Sequence, residues 1–246
     1  MSLLRTAFAP ILSVISPEQC RVCVARECDL AGGVVCESCW EKAQVFTSET
    51  PLCSKCGILL AAPARLSQTT CRNCDKRAFD RAFACGVYHG ALESTIIALK
   101  KRPLIPARLL QFINSTLDRA REREFDLLIP VPLSKKRELE RGFNQAEKIA
   151  RLVSQHLNKP VSCSTLQRTV HTPLHRAGMD DRARELTVQK AFSVANADAI
   201  RERNILLVDD VLTSGATADA CAAVLKKNGA SSVTVFTVAR AVHHRP

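Results

Sequence analysis

The sequence predicts an α/β protein, a parallel sheet flanked by helices and preceded by a small cysteine-rich module. Three observations carry that expectation. From Phe79 onward, short apolar strands alternate with amphipathic helices. One continuous segment, Ile205-Leu-Leu-Val-Asp-Asp-Val-Leu-Thr-Ser-Gly-Ala-Thr217, reads as a strand, an acidic pair, a hydroxyl-rich turn and the start of a helix. Four C-x-x-C pairs crowd the first third of the chain.

Taken in order, Phe83–Tyr88 is predicted as a strand and Ala91–Lys100 as a helix, with Leu92, Ile96 and Leu99 on one face. Ile105–Arg121 has the pattern of a second helix, basic towards its C-terminus as the macrodipole prefers. Asp126–Val131 is an apolar run stopped by Pro130 and Pro132, which suits a buried strand. Ala146, Ile149, Ala150, Val153 and Leu157 give Asn144–Leu157 a helical apolar stripe. Ile205–Val208 reads as a strand, Ala216–Lys227 as a helix and Val233–Val238 as a further strand. The change in texture divides the chain into a metal-binding module over 1–78 and an α/β domain over 79–246.

The chain has 246 residues, of which 46% are hydrophobic and 4% aromatic, so its core is built mainly from aliphatic side chains. The apolar stretch Leu3–Ile15 is interrupted by Arg5, Thr6, Pro10 and Ser13 and falls short of the roughly 20 residues of a membrane span. It is expected to form a packed N-terminal helix, with no membrane insertion and a cytoplasmic location. The net charge of +11 suits anionic partners, whether small phosphate compounds or nucleic acid.

Ten of the twelve cysteines precede residue 86, and a reducing compartment with bound metal explains that distribution better than disulfides do. The pairs are Cys20/Cys23, Cys36/Cys39, Cys53/Cys56 and Cys71/Cys74. Two cysteines on a tight turn aim both thiolates at one tetrahedral centre, and two such turns complete a four-cysteine zinc site. One or two structural Zn²⁺ ions are therefore expected. Sequential and interleaved pairing both fit the spacing. Cys28 is a conceivable substitute ligand, while Cys163 and Cys221 are expected as buried small hydrophobes.

In the segment Ile205–Thr217, a strand delivers Asp209 and Asp210 to the carboxyl edge of the sheet, where open α/β sheets bind ligands. The backbone N–H groups of the following turn and the helix N-terminus can cradle a phosphate, with the hydroxyls of Thr213, Ser214 and Thr217 beside them. Gly215 allows close approach of the backbone. Helix capping alone does not call for two consecutive acids ahead of the turn.

This segment resembles the phosphoribosyl-pyrophosphate (PRPP) signature of type I phosphoribosyltransferases. The chain as a whole is similar to the ComF family of competence-associated proteins. The similarity runs from the cysteine pairs through Tyr88-His89-Gly90, Val131-Pro132-Leu133 and Arg141-Gly142-Phe143-Asn144-Gln145 to the PRPP segment. It implies a type I phosphoribosyltransferase-like sheet behind a double zinc ribbon. PRPP would contact Val208, Asp209, Asp210 and Thr213, Ser214, Gly215, Ala216 and Thr217. Its pyrophosphate would lie against Pro130, Val131, Pro132, Leu133 and Ser134, with Lys100 and Arg141 nearby. Mg²⁺ would arrive with PRPP. A basic lid would span Arg168 to Arg184.

For an active transferase, Asp209 and Asp210 would orient the ribose, and Arg168 and Arg182 would stabilise the leaving pyrophosphate. The acceptor would be a nitrogen nucleophile, and chain order suggests that the cysteine module stands where such domains carry their variable hood. The family link to natural transformation implies single-stranded DNA as a partner, alongside competence or helicase proteins. The basic stretches Lys100–Arg102, Arg119–Arg123 and Lys135–Arg141 are the candidate contacts.

Overall fold

Among the described residues, four parallel strands form the central sheet, with 81–87, 232–240, 204–212 and 127–130 side by side in that order. The structure is a computed structural model describing residues 18–60, 69–71, 74, 76–120, 124–169 and 191–242. The expected N-terminal helix Leu3–Ile15, the region Val170–Lys190 with Arg182, and Arg121–Arg123 lie outside these residues.

The strands are β1 (Arg81–Val87), β2 (Leu127–Pro130), β5 (Asn204–Leu212) and β6 (Ser232–Arg240). α1 (Glu37–Glu41) precedes β1, and between the strands run α2 (Gly90–Leu99), α3 (Ala107–Arg119), α4 (Lys135–Arg141), α5 (Gln145–Leu157) and α6 (Ala216–Lys227). A short antiparallel pair, β3 (Leu166–Arg168) with β4 (Phe192–Val194), stands apart from the main sheet.

The parallel sheet explains why its strands read as continuous apolar runs, since both faces are covered. Cys85, Leu128, Leu206, Val208, Phe236 and Val238 belong to one buried cluster, with α2, α3 and α5 packed on it. Ile129, Ile205, Leu207, Val233 and Val235 belong to the other, under α6. Each fully buried Leu, Val or Phe contributes about 1.5–3 kcal/mol, so these two layers supply most of the driving force.

The cysteine module sits astride the β1 edge. Cys20, Cys36, Cys39 and Trp40 join the first apolar cluster, whereas Cys53, Cys56 and Cys74 join the second. Between them, residues 44–46 run along β1: the Phe46 N–H donates to Cys85 O (2.8 Å) and the Val87 N–H to Gln44 O (2.9 Å). An edge that would otherwise expose its hydrogen-bonding groups is thereby covered. Arg119 at the end of α3 donates to Phe46 O (2.8 Å), and the Trp40 indole donates to Gly32 O (3.0 Å) while its ring meets Phe112.

The expected fold class is the one found. Some details differ from the sequence expectation. Strand β5 does not stop at Val208 but continues through the acidic pair to Leu212, because Asp209, Val211 and Leu212 pair with Thr237, Ala239 and Arg240 of β6. The antiparallel strands β3 and β4 are too short to show a period. Cys163 is exposed and within 3.8 Å of Arg151 Nη2, not buried; Cys221 is buried as expected.

Candidate anion site and metal centres

Cysteine pairing is sequential. The sulfurs of Cys20, Cys23, Cys36 and Cys39 lie within 4.8 Å of one another, as do those of Cys53, Cys56, Cys71 and Cys74. A tetrahedron with Zn–S bonds of about 2.3 Å has edges of about 3.8 Å. The Cys23–Cys36, Cys53–Cys74 and Cys56–Cys71 separations are 3.8, 3.6 and 3.6 Å. All twelve cysteines are thiols, and Cys28 belongs to neither group.

Each group also carries N–H donors for its first sulfur. Val22 and Cys36 donate to Cys20 Sγ (3.5 and 3.3 Å), and Cys56 and Cys71 to Cys53 Sγ (3.5 and 3.2 Å). Burial pushes both thiols up, but the backbone donors outweigh it and bring Cys20 to about 6 and Cys53 to about 7. Burial and the neighbouring thiols push Cys39 up to about 12 and raise Cys74 strongly. Four thiolates so close together repel unless a cation neutralises them, and the all-sulfur donor set fits Zn²⁺. Such closed sites are structural.

In the first C-x-x-C turn of each group, the residue after the second cysteine is left-handed. Gly57 (φ 65°) is that residue in one group, closing Gly57 N–H to Cys53 O at 2.9 Å. In the other group the same place belongs to Val24 (φ 59°), closing on Cys20 O at 2.9 Å. A β-branched residue is strained there.

The parallel register sets Pro130 beside Val208, so the turns after β2 and β5 emerge side by side at one edge. Val208 is buried within β5, and Val131 N–H donates to Val208 O (2.8 Å). After Pro132 and Leu133, buried Ser134 caps α4 by accepting the Arg137 N–H (3.5 Å). Beyond β5, Thr213 and Ser214 are exposed, and Gly215 adopts φ 84° as the N-cap of α6, which begins with Ala216 and Thr217. A Cβ at Gly215 would meet only ordinary contacts, so the backbone angle is what calls for glycine.

Because successive strand residues face opposite ways, the two carboxylates diverge. Asp210 faces α2 and α5: Lys100 Nζ is 3.1 Å and Gln145 Nε2 3.2 Å from its Oδ2. Asp209 faces α6 and β3, where it acts electrostatically on Cys221 and Arg168. Its Oδ1 accepts the Asp210 N–H (2.8 Å). Burial, then the Asp210 charge, raises the Asp209 carboxyl well above the usual carboxylate range.

Gln145 is the residue that the sequence reasoning did not assign. It is buried, donates to Asp210, and accepts from Arg141 Nη1 (3.0 Å). Next to it, Asn144 Nδ2 donates to Val131 O (3.0 Å) and Oδ1 accepts the Ala146 N–H (3.0 Å). The Arg-Gly-Phe-Asn-Gln string thus ties the turn after β2 to the acidic strand β5.

Arg168 lies over the Phe192 ring (5.3 Å) and beside Ser134, Lys135, Lys136, Gln167 and Thr169 around a cavity of about 330 Å³. Burial lowers the Arg168 guanidinium, opposed by Cys221 and Asp209. Burial, with Arg168 and Arg141, lowers Arg137 as well. The structure therefore gathers Lys100, Arg141, Asp210 and the two turns at one edge, with Arg168 near Asp209.

The described residues define a parallel α/β protein with a strand–turn–helix at the carboxyl edge of its sheet and two four-cysteine groups. Competence protein F of Haemophilus influenzae is 30% identical over 223 residues, covering 86% of this chain and 93% of that protein. Competence protein ComFC of Bacillus subtilis is 29% identical over 222 residues (84% of each), and the DNA utilization protein YhgH of Escherichia coli O157:H7 is 28% identical over 214 residues (84% and 90%). The chain belongs to the ComF family.

No protein-family model matches the chain. Glutamine PRPP amidotransferase of B. subtilis superposes with TM-score 0.36 at 17% identity, over 52% of this chain and 25% of that one. The purine phosphoribosyltransferase of Pyrococcus horikoshii gives 0.34 at 14%, over 54% and 82%. Both superpositions are too loose to bear on the fold, which rests on the strand order. Among the described residues, no helix is long and apolar enough to cross a membrane.

Proposed function

We propose that the chain binds PRPP together with Mg²⁺ at the carboxyl edge of β2 and β5, and that it handles single-stranded DNA in the cytosol during DNA uptake. One observation supports the ligand assignment: the turns after two adjacent parallel strands flank Asp210, which Lys100 and Gln145 hold in place. The phosphate of the ribose would take the Thr213–Thr217 turn, and the pyrophosphate Pro130–Ser134 with Arg168 and Arg182. Asp209 and Asp210 would receive the ribose hydroxyls. Mg²⁺ would be held mainly by the ligand's own oxygens, since Asp210 Oδ2 already serves Lys100 and Gln145. The DNA role takes its support from the net charge of +11 and from relatives named for competence and DNA utilization.

Titration calorimetry with PRPP·Mg²⁺ and single-stranded DNA, separately and together, tests both parts. The Asp209→Asn/Asp210→Asn double variant should lose PRPP binding and keep DNA binding, whose affinity should fall steeply with salt. Unchanged PRPP binding in that variant would refute the site. Consumption of PRPP on addition of a nitrogenous base would instead identify an active transferase.

A further inference from the structure

Two guanidinium groups stand behind the Thr213–Gly215 turn, and neither belongs to the anion site described above. Arg240, at the end of β6, is buried, and four backbone carbonyls receive it. Its Nε donates to Cys56 O (3.2 Å); its Nη1 donates to Leu212 O (2.7 Å), Ala241 O (3.1 Å) and Thr213 O. Arg77, from the linker after the second cysteine group, donates through Nη2 to Ser214 O (2.9 Å) and pairs with Asp219 of α6 (3.7 Å). Asp219 also accepts the Ala78 N–H (2.5 Å), and Lys55, between Cys53 and Cys56, holds Arg77 O (3.0 Å). The second cysteine group and the turn share a cavity lined by Cys56, Cys74, Phe79, Ser214 and Arg240.

The direction of these bonds matters more than their number. A trans peptide unit is planar, with its C=O and the following N–H pointing opposite ways. The chain contains no cis peptide bond among the described residues. Holding the Thr213 and Ser214 carbonyls therefore turns the Ser214 and Gly215 N–H groups away from both arginines. Left-handed Gly215 continues that concave arrangement, a geometry suited to an anion.

No carboxylate is paired with Arg240 among the described residues. Its buried charge thus reinforces the positive side of the turn instead of cancelling within the protein.

We infer that Arg240 and Arg77 are positioning residues for the Thr213–Gly215 phosphate turn, and that through them the turn depends on the second four-cysteine centre. The inference rests on the phosphate assignment made under Proposed function. The arginines touch no ligand. They set the direction of the N–H groups that do, and Cys56 O and Lys55 anchor them to the metal centre.

The two halves of PRPP provide the test, since each addresses a different turn. Ribose 5-phosphate reports on Thr213–Thr217 and inorganic pyrophosphate on Pro130–Ser134. Calorimetry is run on the zinc-loaded full chain, with thermal melts and metal content for every variant. Arg240→Gln and Arg77→Gln should each weaken ribose 5-phosphate binding about tenfold, the size expected for losing a charged hydrogen bond, and leave pyrophosphate binding within about twofold. Arg77→Lys should fall between, because an ammonium holds one carbonyl without the fork. Arg77 is partly exposed, so its variants keep the test open if Arg240→Gln does not fold.

Wild-type affinity for ribose 5-phosphate in the variants would overturn this inference and leave the PRPP site standing. Equal loss of both ligands would reduce the arginines to general structural residues and overturn it too. Failure of the wild type to bind either ligand would overturn the PRPP site and this inference together.

Discussion

Gln145, the first residue of α5, reaches across to Asp210 of β5 with its side-chain amide at 3.2 Å, both side chains being buried. Its carbonyl oxygen meanwhile accepts a hydrogen bond from Arg141 Nη1. Asp210 is therefore held from two directions, by Gln145 and by Lys100. Gln145→Leu should remove one of these supports and leave the Arg141 fork without its acceptor. PRPP affinity should fall about tenfold, and stability by about 1–2 kcal/mol. Calorimetry and urea unfolding measure the two effects separately.

Asp209 gives a pH prediction of definite sign. Its native carboxyl is raised by burial and by Asp210, so the folded state holds a proton that the unfolded chain releases near pH 4. Its contribution to stability is complete below that ordinary value and is lost as pH rises through the raised native one. Asp209→Asn removes the loss. The variant should be more stable than wild type at neutral pH, with an advantage that shrinks on acidification. Urea midpoints at several pH values check this, and the same variant should bind PRPP more weakly.

Val24 and Gly57 occupy equivalent left-handed places in the two cysteine turns. Val24→Gly should relieve the strain and stabilise the protein by about 1–2 kcal/mol. The reciprocal change, Gly57→Val, should destabilise it, since its Cβ would stand 3.0 Å from Ala82 O in addition to the backbone penalty. Thermal melts of both variants decide the matter.

The two sulfur clusters predict two Zn²⁺ ions per chain by elemental analysis. Cys71→Ser should lower the content to one, whereas Cys28→Ser should leave it at two, because Cys28 lies outside both groups. Loss of an ion from Cys28→Ser would reassign the ligands.

Helices with an apolar stripe were legible in the sequence, and α5 begins within one residue of its expected start at Asn144. The stripe exists because one face packs against a neighbour, so period and burial are the same fact. The helix α4 has no such face: its one large apolar side chain, Leu139, is 85% exposed, and its residues read as a basic patch. Strand β5 was underestimated because two acids look like a turn, yet pairing with β6 overrides that local preference. The candidate site residues Asp209 and Asp210 stand out by their chemistry. Gln145 did not, because its role comes from a partner 65 positions away that no local pattern encodes. Divergence of the carboxylates likewise follows only once the strand is known to continue through them.

The cysteine module grips the β1 edge from both faces and lends each face part of its core. Nothing in that arrangement behaves as a tether. A polyanion touching both the module and the sheet would carry no effective-concentration gain from a linker, and its affinity would not respond to linker length.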